Sequence, residues 1–109
     1  MAGAKLMVMY PAPNDMAAFE RAYGEEHIPL VAPIFAAAGA TRADFTKVTG
    51  APGASPAFHR IAEIHFPSLA VLQACAASNG GQDALAHANK ISNGGAPVVL
   101  IGEEETVAF

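Results

Sequence analysis

Tyr23 and His27 stand four residues apart where apolar positions recur at helical spacing, so the two share one helix face. Imidazole is the side chain most readily tuned to gain or lose a proton near neutral pH. His27 runs directly into Ile28-Pro29, where a helix must bend and backbone groups are freed. Two roles fit it: a general acid/base, or a histidine that hydrogen-bonds the broken backbone and does no chemistry. A second constellation lies in residues 58–66. Alternation puts His59, Ile61, Glu63 and His65 on one strand face, with Phe58, Arg60, Ala62, Ile64 and Phe66 on the other. Glu63 and His65 are a candidate acid/base pair, because a carboxylate beside an imidazole favours its protonated form. Periodicity leaves three positions open for their face: toward a cavity, toward the helices, or solvated at an edge.

The remaining chemistry-bearing residues point to less. His59 and His65 lie about 20 Å apart on an extended strand at roughly 3.3 Å per residue, too far to ligate one ion. Glu63 and His65 joined by His27 make the one sterically conceivable ligand set. With no H-x-x-x-H, H-E-x-x-H or cysteine cluster in the chain, a required metal is not expected. Cys75 shares an apolar helix face with Leu72 and reads as a small hydrophobe. His87, between Ala86 and Ala88, reads as a surface or cavity-rim residue. No G-x-S-x-G elbow and no phosphate-binding glycine loop occurs.

These residues must be held by a chain of 109 residues, the size of one small domain, spanning 1–109. Apolar residues make up 52% and charged residues 15%, with a net charge of -4. That balance offers no basic stripe for nucleic acid and none for an anionic lipid surface. The longest apolar stretch, residues 28–38, is too short to span a bilayer and holds two prolines. A single cysteine and an N-terminus that runs straight into a strand, without a signal peptide, lead us to expect a reduced, cytoplasmic protein. Roughly a quarter of the residues are alanine and none is tryptophan. Alanine buries little area, so a partner subunit is expected to supply the missing burial.

The elements alternate along the chain. Residues 5–10 read as a strand stopped by Pro11-Ala-Pro13, and Asn14 or Asp15 offers an N-cap for a helix from Met16. Pro29 and Pro33 predict a kink or restart near His27, and Gly39 closes the second half. Strands follow at 41–49 and 58–66, separated by the proline- and glycine-rich loop 50–56. A helix from Pro67-Ser68 to Asn79, a short helix over 83–91 and a strand over 97–101 complete the series. The order β-α-β-β-α-(α)-β predicts an α+β, ferredoxin-like domain with a four-stranded antiparallel sheet and helices on one face. Because several strands are apolar on both faces, the helix-free face is expected to be buried too. Two such sheets packed together would enclose a barrel, with the function inside it.

Val8-Met-Tyr-Pro11, Phe19, Tyr23 and Glu26-His-Ile-Pro-Leu30 together resemble the opening of EthD-like proteins. There a strand ending in Tyr-Pro leads into a helix with a Tyr…His-x-Pro-Leu signature. The Gly-Ala-Pro-Gly loop at 50–53, Phe66-Pro67-Ser68 and the closing strand from Pro97 through Gly102 extend the resemblance over nearly the whole chain. It implies a dimeric α/β barrel with the signature histidine, His27, at an internal cavity. The family takes its name from ethyl tert-butyl ether degradation, in which its member is accessory. Similar barrels include cofactor-free polyketide oxygenases and a muconolactone isomerase, where a histidine at the place of His27 shuttles protons. Related monooxygenase barrels place a cavity-facing aromatic where His65 stands, which favours the Glu63/His65 face as interior.

Three functions follow as expectations. The first is a homodimeric enzyme acting without a cofactor on a small apolar molecule, by isomerisation or by oxygenation of a carbanion. In it His27 is the general acid/base, Glu63 and His65 tune or relay its proton, and Tyr10, Tyr23 and Phe45 contact substrate. The second is a non-catalytic accessory protein that holds hydrophobic intermediates for a partner oxidoreductase. The third is a structural dimer whose barrel is plugged by Phe45 with Met7 or Met9.

Overall fold

The computed structural model describes residues 3–109. Strands β1 (Ala4–Pro11), β2 (Arg42–Lys47), β3 (Phe58–Phe66) and β4 (Val98–Glu103) form a sheet of order β2-β3-β1-β4. Every neighbouring pair is antiparallel. Between β1 and β2 the chain passes through α1 (Met16–Arg21), a π turn (Ala22–His27) and α2 (Ile28–Ala37). Between β3 and β4 it passes through α3 (Leu69–Ala77) and α4 (Asn79–Ile91). This is the α+β, ferredoxin-like order expected from the sequence, with the second crossover split into two helices.

Local chemistry sets the boundaries. The Asp15 carboxylate accepts from the Ala18 N–H and starts α1, and the Ser68 hydroxyl caps α3 through the Val71 N–H. Pro29 and Pro33 have no N–H to give, and the helix accommodates them by widening: the Ile28 N–H bonds Tyr23 O five residues back. The kink expected near His27 is this π turn. Gly39 ends α2 with φ of 99°, a left-handed conformation that costs glycine nothing.

Two details of the sequence reading are corrected. The last helix starts at Asn79, four residues before the expected 83, because Ser78 serves both of its neighbours. Its hydroxyl donates to Cys75 O at 2.6 Å and accepts from the Gly81 N–H at 3.1 Å. Gly80 and Gly81 are therefore helical rather than a turn. A Cβ on Gly81 would sit 2.0 Å from the Cys75 carbonyl oxygen, so glycine is needed there for close approach. The second correction concerns strand parity. Tyr10 pairs with Arg60 and Pro11 with Phe58, which leaves His59 as an extra residue in a bulge of β3. The bulge carries His59 off the Glu63/His65 face and against Phe19 and Glu20 of α1.

One apolar core joins the helices to the sheet. From β1 it takes Ala4, Leu6, Val8 and Tyr10; from β3, Ala62, Ile64 and Phe66; from the helices, Phe19, Tyr23, Val31, Phe35 and Leu72 among others. The opposite sheet face bears Lys5, Met7, Met9, Glu63 and His65, and among the described residues no helix covers it. Edge strand β4 is apolar toward both sides and exposed on both: Val98 39%, Val99 41%, Leu100 48% and Ile101 47%. Among the described residues no helix is long and apolar enough to cross a membrane.

Candidate functional site

β1, α1, the π turn and α4 bring five rings, two of them phenols, together between sheet and helices. Phe19, Tyr23 and His27 stack with successive centroids 5.4 and 5.7 Å apart, and His87 continues from His27 edge to edge in nearly the same plane, with centroids 5.1 Å and Nδ1 atoms 2.8 Å apart. Tyr10 meets the stack edge-on, 5.4 Å from Phe19, 5.3 Å from Tyr23 and 6.3 Å from His27. Stacked and edge-to-face aromatics of this kind fix ring orientation as well as burying area. Tyr23 touches Phe45 of β2 at 6.2 Å. The Arg60 guanidinium lies over the Tyr23 ring, 5.1 Å from its centroid.

His27 is 4% exposed and hydrogen-bonded at both ring nitrogens. Its Nε2 lies 3.2 Å from the Tyr10 hydroxyl and its Nδ1 lies 2.8 Å from Nδ1 of His87. Burial, with the nearby His87 second, pulls its pKa down to about 4, so the ring is neutral at physiological pH. Burial raises Tyr10 well above the ordinary phenol range and pushes Tyr23 up to about 12, so both phenols keep their protons. Among the described residues the Tyr10 hydroxyl has no hydrogen-bond partner but His27, so one arrangement gives its buried proton an acceptor. Tyr10 donates to His27 Nε2; the neutral ring then carries its proton on Nδ1 and donates to His87; His87 accepts at Nδ1 and holds its own proton on Nε2. The Tyr23 hydroxyl is buried without a partner among the described residues. Such a group costs about 1–3 kcal/mol unless something accepts from it.

A polar clamp fixes the near end of this stack. Arg60 holds Glu20 with two hydrogen bonds, 2.7 and 3.1 Å, and His59 adds a third at 3.2 Å. The Arg60 hydrogen bond is the main reason the Glu20 carboxyl lies below the usual range. This ties α1 to β3 directly beside Tyr23. Next to Phe45 lies an apolar cavity of about 280 Å³, walled by Phe35, Ala36, Ala40, Ala43 and Phe45 between α2 and β2. Phe45 is the shared wall between that cavity and Tyr23.

Four of the six residues singled out in the sequence therefore meet: His27, Tyr10, Tyr23 and Phe45. Glu63 and His65 do not join them, because β3 turns both onto the helix-free face and the sheet lies between. There Glu63 pairs with Lys5, and His65 is held between Asp44 at 3.0 Å and Glu104 at 2.8 Å. His65 and Glu104 border a more polar cavity of about 370 Å³. Phe45 and the two methionines Met7 and Met9 also fall on opposite sheet faces, so they cannot plug one space together. The ligand set of Glu63, His65 and His27 is not assembled, and no group of three metal-ligating side chains occurs among the described residues. Cys75 is buried, which raises its thiol pKa, as a packed hydrophobe requires. The sequence places His87 no more closely than at a surface or cavity rim: it stands alone in an alanine-rich helix, and nothing local shows that α4 brings it against His27.

Comparison with known proteins agrees with this architecture. An uncharacterized 11.0 kDa protein of Rhodococcus erythropolis, encoded in the thcB-thcC intergenic region, is 32% identical over 103 residues, 94% of this chain and 96% of that one. The crystal structure of an EthD family protein from Bacillus halodurans C-125 is 27% identical. It covers 96% of this chain and 100% of its own, with a TM-score of 0.84. SnoaB, a cofactor-independent oxygenase from Streptomyces nogalater, is 14% identical and shares the fold with a TM-score of 0.61, over 98% of this chain and 95% of its own. The model of the EthD domain matches residues 13–92, which include the π turn, His27 and His87. The chain belongs to the EthD domain family.

Proposed function

We propose that the protein is a homodimeric, cofactor-free proton-transfer enzyme for a small apolar molecule bearing a carbonyl or phenolic oxygen. The observation that carries this reading is His27: a dry, neutral imidazole held in one tautomer between a phenol and a second imidazole. Such a ring accepts a proton without first losing one. The substrate's apolar body fits the cavity beside Phe45, since a 150 Å³ apolar cavity takes benzene and this one is about 280 Å³. Tyr10, Tyr23 and His27 lie behind Phe45 and do not line the cavity, so in this reading Phe45 swings aside on binding and the substrate's oxygen then accepts from the Tyr23 hydroxyl. The carbon-bound proton passes to the Tyr10 oxygen as the Tyr10 proton passes to His27 Nε2, leaving an enolate or carbanion. That intermediate isomerises on return of the proton or reacts with oxygen, the latter in keeping with the cofactor-independent oxygenase of the same fold.

Dimer formation is supported by β4, whose four apolar residues lie open on both sides, and by the uncovered sheet face. Packing two such faces would enclose Glu63 and His65 between the sheets, as a second, polar lining apart from His27. The protein would work where small apolar metabolites are degraded or built, in a reduced, cytoplasmic setting, with a partner oxidoreductase as one source of its substrate. The reading as a pure binding protein uses the same cavity and the same Tyr23 hydroxyl, and turnover separates the two. Incubating the protein in D2O with a panel of apolar ketones and phenols should show protein-dependent deuterium uptake at carbon by NMR. His27→Gln should lower that rate by about 10²-fold or more. Binding of panel members with no uptake at carbon would leave the binding protein as the correct reading.

A further inference from the structure

We infer that His87 is the proton port of this site, a positioning residue that connects His27 to solvent. The inference rests on the reading of His27 as the group that receives the substrate's proton. Tyr10 is 0% exposed and His27 4%, so neither exchanges a proton directly with water. His87 is half-buried and reaches the surface from α4. Its ring lies parallel to that of His27 within 5°, and the two Nδ1 atoms are 2.8 Å apart. The titratable groups that face His27 are Tyr10 from β1, Tyr23 from the π turn and His87 from α4. Among the described residues no carboxylate or ammonium is hydrogen-bonded to it. A charge arriving on His27 thus has one hydrogen-bonded exit.

The proton balance closes along that path. A proton reaching His27 Nε2 makes the ring an imidazolium; its Nδ1 proton moves to His87 Nδ1; His87 then gives its Nε2 proton to water. Both rings end neutral with their tautomers exchanged, and a proton returning by the same route restores them. The alignment depends on the corner between α3 and α4, where Gly81 packs on the Cys75 carbonyl and sets the direction of α4.

The test needs no substrate. In uniformly 15N-labelled protein, solvent exchange of the His27 Nδ1 proton is measured in the native chain, in His87→Gln and in His87→Phe. Glutamine keeps an acceptor for His27 but cannot pass a proton on, and phenylalanine fills the space without either property. Exchange should slow by about tenfold or more in both variants, since neither side chain can shuttle. Unchanged or faster exchange in a variant with a native amide spectrum would overturn the port. The native chain gives a check that no folding defect can affect: long-range 1H–15N spectra should place the proton of His27 on Nδ1 and that of His87 on Nε2. The reverse arrangement also overturns it. If carbon–deuterium exchange is absent while these results hold, the proposed reaction fails and the port stands.

Discussion

Gly81→Ala is expected to destabilise the protein by about 3 kcal/mol or more, because the added methyl has no space to enter. Its Cβ would lie 2.0 Å from the carbonyl oxygen of Cys75, 2.9 Å from the carbonyl carbon and 3.3 Å from Ala76 Cα. All three are backbone atoms of the preceding helix, so no side chain can swing away to make room. Relief requires the α3–α4 corner to open, and opening moves His87 off His27. The ordinary expectation for glycine to alanine within a helix has the opposite sign, a gain of up to about 1 kcal/mol. Urea denaturation of the two proteins decides it. A variant as stable as the native chain would mean that the corner is looser than the contact implies.

Acid should weaken the fold through His27 itself. The ring titrates at about 4 in the folded protein against an ordinary value of 6.5. Between those two values the unfolded chain binds a proton that the folded chain refuses, so stability rises with pH across that window. The contribution is fully present above about 6.5 and is lost as pH falls toward 4. Two and a half units correspond to about 3 kcal/mol. Denaturation curves taken from about pH 7 to pH 4 should therefore fall more steeply for the native chain than for His27→Gln, by about that amount. The comparison with the variant matters, because Glu20 and Asp44, both held below the carboxyl range by arginine partners, also cost stability in acid. Parallel curves would show that His27 takes up its proton in the fold as easily as outside it.

Much of this was written in local sequence. Pro29, Pro33 and Gly39 act on their own backbone, so the broken helix and its end were legible. The spacing of Tyr23 and His27 survives the π turn, and their rings still stack. Tertiary facts were less legible. Alternation assigned His59 to the wrong face, because a bulge is set by how β3 pairs with β1 and leaves no mark in the β3 sequence. The glycines at 80 and 81 looked like a turn, and only the closeness of α3 shows why glycine stands in a helix there. Glu63 and His65 were read correctly as sharing a face. Which side of the sheet that face takes depends on where the helices pack, and so the sheet came to separate them from His27. His87 is the extreme case. It lies 60 residues from His27 in the chain, and only the packed fold brings the two imidazoles to 2.8 Å.

The ring nitrogens of His27 report directly whether it is a neutral acceptor locked in one tautomer. A pH titration of 15N-labelled protein, followed by long-range 1H–15N correlation, should show a protonated Nδ1 and a bare Nε2 at neutral pH. The ring should become an imidazolium only with a midpoint of about 4. A midpoint at or above the ordinary 6.5, or a ring already charged at neutral pH, would contradict the account and remove the base from the site.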